Sequence, residues 1–264
     1  MVIRTSTALT FDDLGGTGPP LILLPGAGDT RQGHASLADA LRSVGKRVVD
    51  ADLPGHGGSP TAPSYGVNQT AEALIHLVDE LGAGPAVVVA TSFSPAAAVV
   101  AANRRPESFR GLVAISPHME AEPGLAGAVQ RLAILTLLRG PWAGALWGRL
   151  YGNWYKSRRP PGLDAHILEL QAMLSDPERR RAVRDTLVAD REGVTGALGA
   201  ITLPTLFVFG SDDDHFPDPA AEAADLAART GGESLLVPGA GHYPHIEYPE
   251  VVAERLLTFL NGLG

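Results

Sequence analysis

The chain has no cysteine among its 264 residues, which removes disulfides, thiolate metal sites and a cysteine nucleophile together. It has no uninterrupted run of about 18 apolar residues, the length a membrane-spanning helix requires. Its first residues, Met1-Val-Ile-Arg-Thr-Ser-Thr7, contain no apolar segment of the secretory-signal kind, so a cytoplasmic location is expected. Basic residues are in deficit: 21 Lys and Arg against 29 Asp and Glu leave a net charge of −8. No general attraction to nucleic acid or to an anionic membrane is therefore expected. Internal repeats and low-complexity tails are absent too.

What is present suffices for one large domain with a buried core and room for an insertion. Residues 2–10 alternate weakly and read as an edge hairpin, and the Gly/Pro loop 15–20 follows. Leu21-Ile-Leu-Leu24 reads as a short buried strand stopping at Pro25-Gly-Ala-Gly28, and Arg47-Val-Val-Asp50 as the next strand. Leu37, Leu41 and Val44 fall at helical spacing between them, and Leu74, Ile75, Val78 and Leu81 form one apolar helix face closed by Gly82 and Gly84. A strand at 86–91, a helix at 93–104 and a strand at 112–115 continue the alternation. That rhythm predicts a mostly parallel sheet covered by helices on both faces. It breaks at 118–198, where helical patterns and all three tryptophans occur, and resumes with strand 205–209, a helix near 219–229, strand 234–237 and helix 249–261. The interruption reads as a helical cap inserted over the carboxyl ends of the strands, where ligands bind in open α/β sheets.

Val87-Val-Val-Ala-Thr-Ser92-Phe-Ser-Pro95 carries the chemistry. A buried strand turning sharply into a helix lifts the residue at the turn above the sheet edge, and the next backbone N–H points toward whatever that residue attacks. Ser92 occupies the turn. An acidic loop, Gly210-Ser-Asp-Asp213, follows a later buried strand, and Gly239-Ala-Gly-His242-Tyr-Pro-His245 precedes the last helix.

With Asp52-Leu-Pro-Gly-His-Gly-Gly-Ser59 and Pro25-Gly-Ala-Gly28, these motifs make the chain resemble the α/β-hydrolase superfamily in its capped, serine-nucleophile branch. The resemblance runs nearly end to end and is weakest in the cap. It implies a catalytic triad in the chain order Ser92, Asp213, His242, and an oxyanion hole built from the backbone amides of Ala27 and Phe93. It also implies ester hydrolysis of a small-molecule substrate without metal or organic cofactor. Ala90 and Ser94 stand where the family's elbow carries glycines, and Pro25 where it often carries histidine. Alanine and serine are the next smallest side chains, so the turn is expected to survive with some crowding.

Asp212 and Asp214 are rivals for the acid; the resemblance, through the family's spacing of three residues past the glycine, favours Asp213. His245 reads as a structural hydrogen-bonding residue of its loop and His56 as structural, and His34, His76, His166 and His215 as scattered surface or core residues. His118 and Asp29 read as exposed loop residues near the site mouth, and Arg158-Arg159 and Arg179-Arg-Arg181 as solvated helix faces. In the cap, Leu132, Ile134, Leu135, Leu138, Trp142 and Trp147 read as a helical core, part of it facing an apolar acyl or alkyl group. Two other functions stay open: a lyase, cyclase or acyl transferase that excludes water while using the same triad, and a receptor with an idle triad. A dinucleotide site at Gly26-Ala-Gly28 with Asp50 is disfavoured, because Arg31 takes the place of the third glycine. The oligomeric state is left open.

Overall fold

The apolar runs expected as buried strands form the centre of one sheet in the computed structural model, which describes residues 2–5, 9–121 and 123–263. Its strands are β1 (Val2–Thr5), β2 (Thr10–Asp13), β3 (Thr17–Leu24), β4 (Lys46–Ala51), β5 (Ala86–Thr91), β6 (Phe109–Ile115), β7 (Thr205–Gly210) and β8 (Glu233–Val237). Their order across the sheet is β1-β2-β4-β3-β5-β6-β7-β8. β1 and β2 pair antiparallel, β2 runs antiparallel to β4, and every other pairing is parallel. The turn of the expected edge hairpin, residues 6–8, lies outside the described residues.

Alternation along the central strands explains why both faces are covered. Ile22, Leu24, Val88, Ala90, Leu112, Ala114, Phe207 and Phe209 join one buried cluster. Leu21, Leu23, Val87, Val89, Val113, Ile115, Leu206 and Val208 join the other. Successive side chains point to opposite faces, so strands apolar at every position must be buried on both. Helices α1 (Ala35–Ser43) and α11 (Pro249–Gly262) supply Leu37, Leu41, Val252 and Leu256 to the second cluster. Helices α2 (Val67–Leu81), α3 (Ser94–Arg104) and α9 (Pro219–Thr230) cover the first, and the short α10 (Pro244–Glu247) precedes α11.

Between β6 and β7 stand α4 (Gly124–Leu137), α5 (Ala143–Asn153), α6 (Leu163–Ser175), α7 (Pro177–Leu187) and α8 (Val194–Gly199). A third cluster, with Trp147, Tyr151, Leu170, Leu174 and Val183, unites α5, α6 and α7 and includes Tyr243 from the histidine loop and Ile246 from α10. Two details depart from the sequence reading. Helix α8 packs through Val194 and Leu198 into the sheet's own core, so the end of the helical block belongs with α3 and α9. Leu132 and Trp142 are not core residues but 64% and 52% exposed: Leu132 because α4 lies on the surface and buries no residue completely, and Trp142 at the amino-terminal cap of α5. Among the described residues, no helix is long and apolar enough to cross a membrane.

The acidic and histidine loops meet where β7 ends. A Cβ on Gly210 would lie 2.2 Å from the carbonyl oxygens of both Ala240 and Gly241, so only glycine permits the approach. Gly210→Ala is expected to destabilise the fold by about 3 kcal/mol, the upper range for overpacking against rigid backbone. Urea unfolding of the variant checks this, and an unchanged midpoint would contradict the contact.

Candidate active site

Ser92 sits between β5 and α3 with φ 60°, one of two non-glycine residues with positive φ among those described. Such backbone persists only where the surroundings over-determine it. Here Ser92 N donates to Ile115 O at 2.9 Å, and His118 N donates to Ser92 O at 2.8 Å. Gly26 lies directly opposite, since a Cβ there would come within 2.9 Å of the Ser92 Cβ. The substituted elbow positions fit this crowding: Ala90 is fully buried, and the Ser94 hydroxyl turns away to donate to the Pro25 carbonyl oxygen. Ser94 thereby ties the elbow to the loop after β3, and Pro95 occupies the first turn of α3, where no N–H is needed.

His242 and Asp213 are both buried, and His242 Nδ1 lies 2.8 Å from Asp213 Oδ2. The other carboxylate oxygen is engaged as well: the backbone N–H of His215 donates to Oδ1 at 3.1 Å, and His215 Nδ1 lies 3.0 Å from it. The His215 and His242 rings pack with centroids 4.0 Å apart. Burial would raise the Asp213 carboxyl, but the bonds and charges of His215 and His242 hold it far below the ordinary carboxylate range. Burial depresses the His242 imidazole, and although Asp213 partly restores it, the net shift is downward. His242 is therefore neutral near neutral pH and able to accept a proton. The rival Asp212 takes a bond from the Ser211 hydroxyl, and Asp214 pairs with Lys156 at 2.6 Å.

Ser92 and His242 share the wall of one cavity of about 730 Å³ with Ala27 and Phe93. Among the described residues, the amides of Ala27 and Phe93 find no backbone acceptor in these turns. Ile134, Leu137, Trp147, Trp154 and Leu187 make much of the remaining wall apolar. The insertion also holds the histidine loop, because Trp154 O accepts from His242 N at 3.0 Å. Glu247 clamps the two segments together, accepting from Gly241 N at 2.6 Å on one oxygen and from the amides of Lys156, Ser157 and Arg158 on the other. Asp213, His215 and His242 offer donor atoms of metal-ligand type within 4.8 Å of one another. Both carboxylate oxygens already serve the two imidazoles, which suits a histidine–carboxylate pair as it stands.

Several scattered polar residues prove to be joined. Asp29, expected as an exposed loop residue, is buried: Thr30 N donates to its Oδ1, the Tyr151 hydroxyl donates to its Oδ2 at 3.0 Å, and His166 Nε2 lies 2.7 Å from Oδ1. Asp50 is buried against His34 Nδ1 at 3.2 Å, and burial pushes its carboxyl up to about 6. Gly28, meanwhile, gives way to Trp147, whose indole donates to the Gly28 carbonyl oxygen. Neither residue is free to serve a dinucleotide. His56 is buried, with Nδ1 3.0 Å from Pro54 O, and His76 is exposed. His245, expected as a hydrogen-bonding residue, has no partner on either ring nitrogen among the described residues and packs against the rings of His34 and Tyr243. Arg158 and Arg159, expected on a solvated helix face, lie exposed in the loop between α5 and α6, where they pair with Glu250 and Asp164. Arg179 and Arg181 instead donate to backbone carbonyls of residues 56–63, tying α7 to the loop after β4.

His215, expected as a scattered surface or core residue, instead meets the Asp213 carboxylate, while Glu247 and Arg191, which lines the cavity, carry no expectation from sequence. His215 stands two residues after Asp213, a spacing that offered a signal; the other two find their partners only in three dimensions.

The chain belongs to the alpha/beta hydrolase family, whose model matches residues 21–255. It is 27% identical over 265 residues to the dihydrolipoyllysine-residue acetyltransferase component of the acetoin cleaving system of Pseudomonas putida, covering 96% of this chain and 66% of that protein. It is 26% identical over 261 residues to an sn-1-specific diacylglycerol lipase of Mus musculus, covering 92% and 81%. A thermophilic esterase from Thermogutta terrifontis shares the fold with a TM-score of 0.80 at 23% identity, over 97% of this chain and 93% of that one. The chain spans between 12% and 66% of the length of the first curated relatives it matches.

The Asp29–His166 pair joins the loop after β3 to α6 and gives stability a pH signature. Burial would raise the Asp29 carboxyl, but the charge and bond of His166 bring it below its ordinary value. Burial would lower His166, but Asp29 and then Glu169 bring it above. Asp29's contribution is complete above the ordinary carboxylate pKa and is lost as pH falls through its lowered value. That of His166 is complete below about pH 6.5 and is lost as pH rises through its raised value. His166→Ala is expected to cost about 3 kcal/mol near pH 6, and distinctly less near pH 9. Urea unfolding at the two pH values checks this; an equal cost at both would sink the ion pair.

Proposed function

We propose that the chain is a serine hydrolase that cleaves carboxylic esters of small to medium apolar substrates through an acyl-enzyme. The observation that carries this reading is the Asp213–His242 pair, whose imidazole lines the same cavity as a serine held at φ 60° above the sheet edge. His242 Nε2 takes the proton from the Ser92 hydroxyl as its oxygen attacks the ester carbonyl. Asp213 keeps the Nδ1–H tautomer in place and stabilises the imidazolium that forms. The amides of Ala27 and Phe93 receive the developing oxyanion, each supplying about 3 kcal/mol of barrier stabilisation. The imidazolium returns its proton to the departing alkoxide, and water, activated by the same imidazole, then releases the acid from Ser92. Metal and organic cofactor have no part in these steps.

The helical block over the carboxyl ends of the strands acts as the cap, and its Ile134, Leu137, Trp147 and Trp154 give the acyl or alcohol group an apolar bed. Transfer of the acyl group to an acceptor other than water is the second reading. It is supported by likeness to a protein named as an acetyltransferase component.

Fluorophosphonate is expected to label the wild type once per chain, and Ser92→Ala not at all, by intact mass. Hydrolysis of p-nitrophenyl butyrate should fall by roughly four orders of magnitude in Ser92→Ala. Equal labelling, or equal turnover above background, in the two proteins would overturn the reading. Product analysis with an added alcohol separates hydrolysis from transfer.

The depressed His242 sets the pH profile. Activity requires the neutral imidazole, so kcat/KM should rise along an acid limb whose midpoint lies below about 6.5, the ordinary histidine value. A midpoint above that value would contradict the desolvated base.

A further inference from the structure

We propose that Arg191 receives a carboxylate carried by the substrate, so that the cavity selects esters with an apolar body and an anionic end. This rests on the hydrolase reading and gives its substrate a chemical class. Arg191 follows α7 and lines the cavity that holds Ser92. Its guanidinium stands 5.3 Å from the centre of the Phe93 ring, on the residue next to Ser92. It donates to the carbonyl oxygen of His118, whose own amide bonds the Ser92 carbonyl oxygen. The cation therefore lies one residue layer from the proposed nucleophile.

Among the described residues, no carboxylate pairs with it. Glu120, the acidic residue of the cavity wall, is engaged by Arg229 at 3.2 Å and by the Thr195 hydroxyl at 3.0 Å. Arg131, a second cation on the wall, donates to Val188 O. The neighbouring imidazoles bring no negative charge: His118 is held well below its ordinary pKa, first by burial and then by His242 and His215. Burial lowers the Arg191 pKa to about 10, with no acid offsetting it. A desolvated cation without a counter-ion is expensive and is retained where something else supplies the charge. The planar guanidinium fork matches a carboxylate bidentately, which a lysine cannot do. Among the described residues Arg131 is likewise without a carboxylate but is exposed, so the one unpaired guanidinium turned inward, beside Phe93, is that of Arg191. An apolar wall carrying it is thus complementary to an amphipathic monoanion. It is so within a chain whose overall charge, −8, disfavours anions elsewhere.

The test compares p-nitrophenyl hydrogen adipate with its neutral methyl ester, p-nitrophenyl methyl adipate, by p-nitrophenol release. The wild type is expected to prefer the anionic ester in kcat/KM. Arg191→Met should cut that preference by roughly 100-fold, and Arg191→Lys by an intermediate factor, since it keeps the charge but loses the fork. A role confined to bracing the His118 carbonyl would depress both esters together and leave their ratio unmoved, which would overturn the proposal. So would a wild type that prefers the neutral ester.

Binding separates this inference from the hydrolase reading. Suberate is expected to change the fluorescence of Trp147 and Trp154 saturably in wild type and Ser92→Ala, with weaker affinity in Arg191→Lys and least in Arg191→Met. If no ester is turned over but this pattern holds, the anion site stands and the hydrolase reading fails. If suberate binds neither wild type nor Ser92→Ala, the anion site fails whatever the esterase activity. Should Arg191→Met not fold, the lysine variant and the wild-type preference carry the comparison alone.

Discussion

The backbone of Ser92 is the constraint around which the rest is arranged. Holding an ordinary residue at φ 60° costs of order 1–3 kcal/mol, which must be met by elements that cannot move. β5 is central in the sheet and buried on both faces, and α3 behind it buries Ser94, Pro95, Ala96 and Ala97. The Ser92 amide is hydrogen-bonded to the end of β6 and its carbonyl to the loop that follows, and Gly26 leaves room for its Cβ. The strain is thus opposed by a large buried surface, and the hydroxyl is set at the wall of the cavity.

The second theme is how buried charge attaches the helical insertion to the sheet. Asp29 in the loop after β3 reaches Tyr151 on α5 and His166 on α6, and Glu247 at the end of α10, just past the histidine loop, collects three successive amides from residues 156–158. Each carboxylate satisfies several donors at once, the condition under which a buried charge is tolerated. The two attachments flank the site: one begins two residues from Ala27, the other binds the amide next to His242. Displacement of the insertion would therefore be felt at both sides of the cavity.

Much of this was legible in local sequence. Strands buried on both faces announce themselves as unbroken apolar runs, and Gly, Pro and Asp mark the loops at their carboxyl ends, so the mostly parallel sheet could be read from the pattern. The grouping of Ser92, Asp213 and His242 was implied by the resemblance to a family's motif order. Partners distant in sequence could not. Nothing near Asp29 predicts His166, 137 residues away, and an aspartate in a glycine loop reads as exposed until the insertion covers it. The same holds for Glu247 and for Arg191, whose significance lies in what does not face it. Helix α4 misled in the opposite sense: its many apolar residues suggest a core helix, yet Leu125, Val129 and Leu132 face outward while Ile134 and Leu137 face the cavity. His245 looked like a hydrogen-bonding residue because of its loop, but it packs as an aromatic ring.

The account turns on His242 being a neutral base before any substrate arrives, with its proton on Nδ1 toward Asp213. Nitrogen-15 NMR of histidine-labelled protein across a pH titration observes that directly. The account predicts the Nδ1–H tautomer near neutral pH, an imidazole pKa below the ordinary histidine value, and loss of the tautomer preference in Asp213→Ala. A resonance showing the Nε2–H tautomer, or an imidazole still protonated at neutral pH, would contradict it.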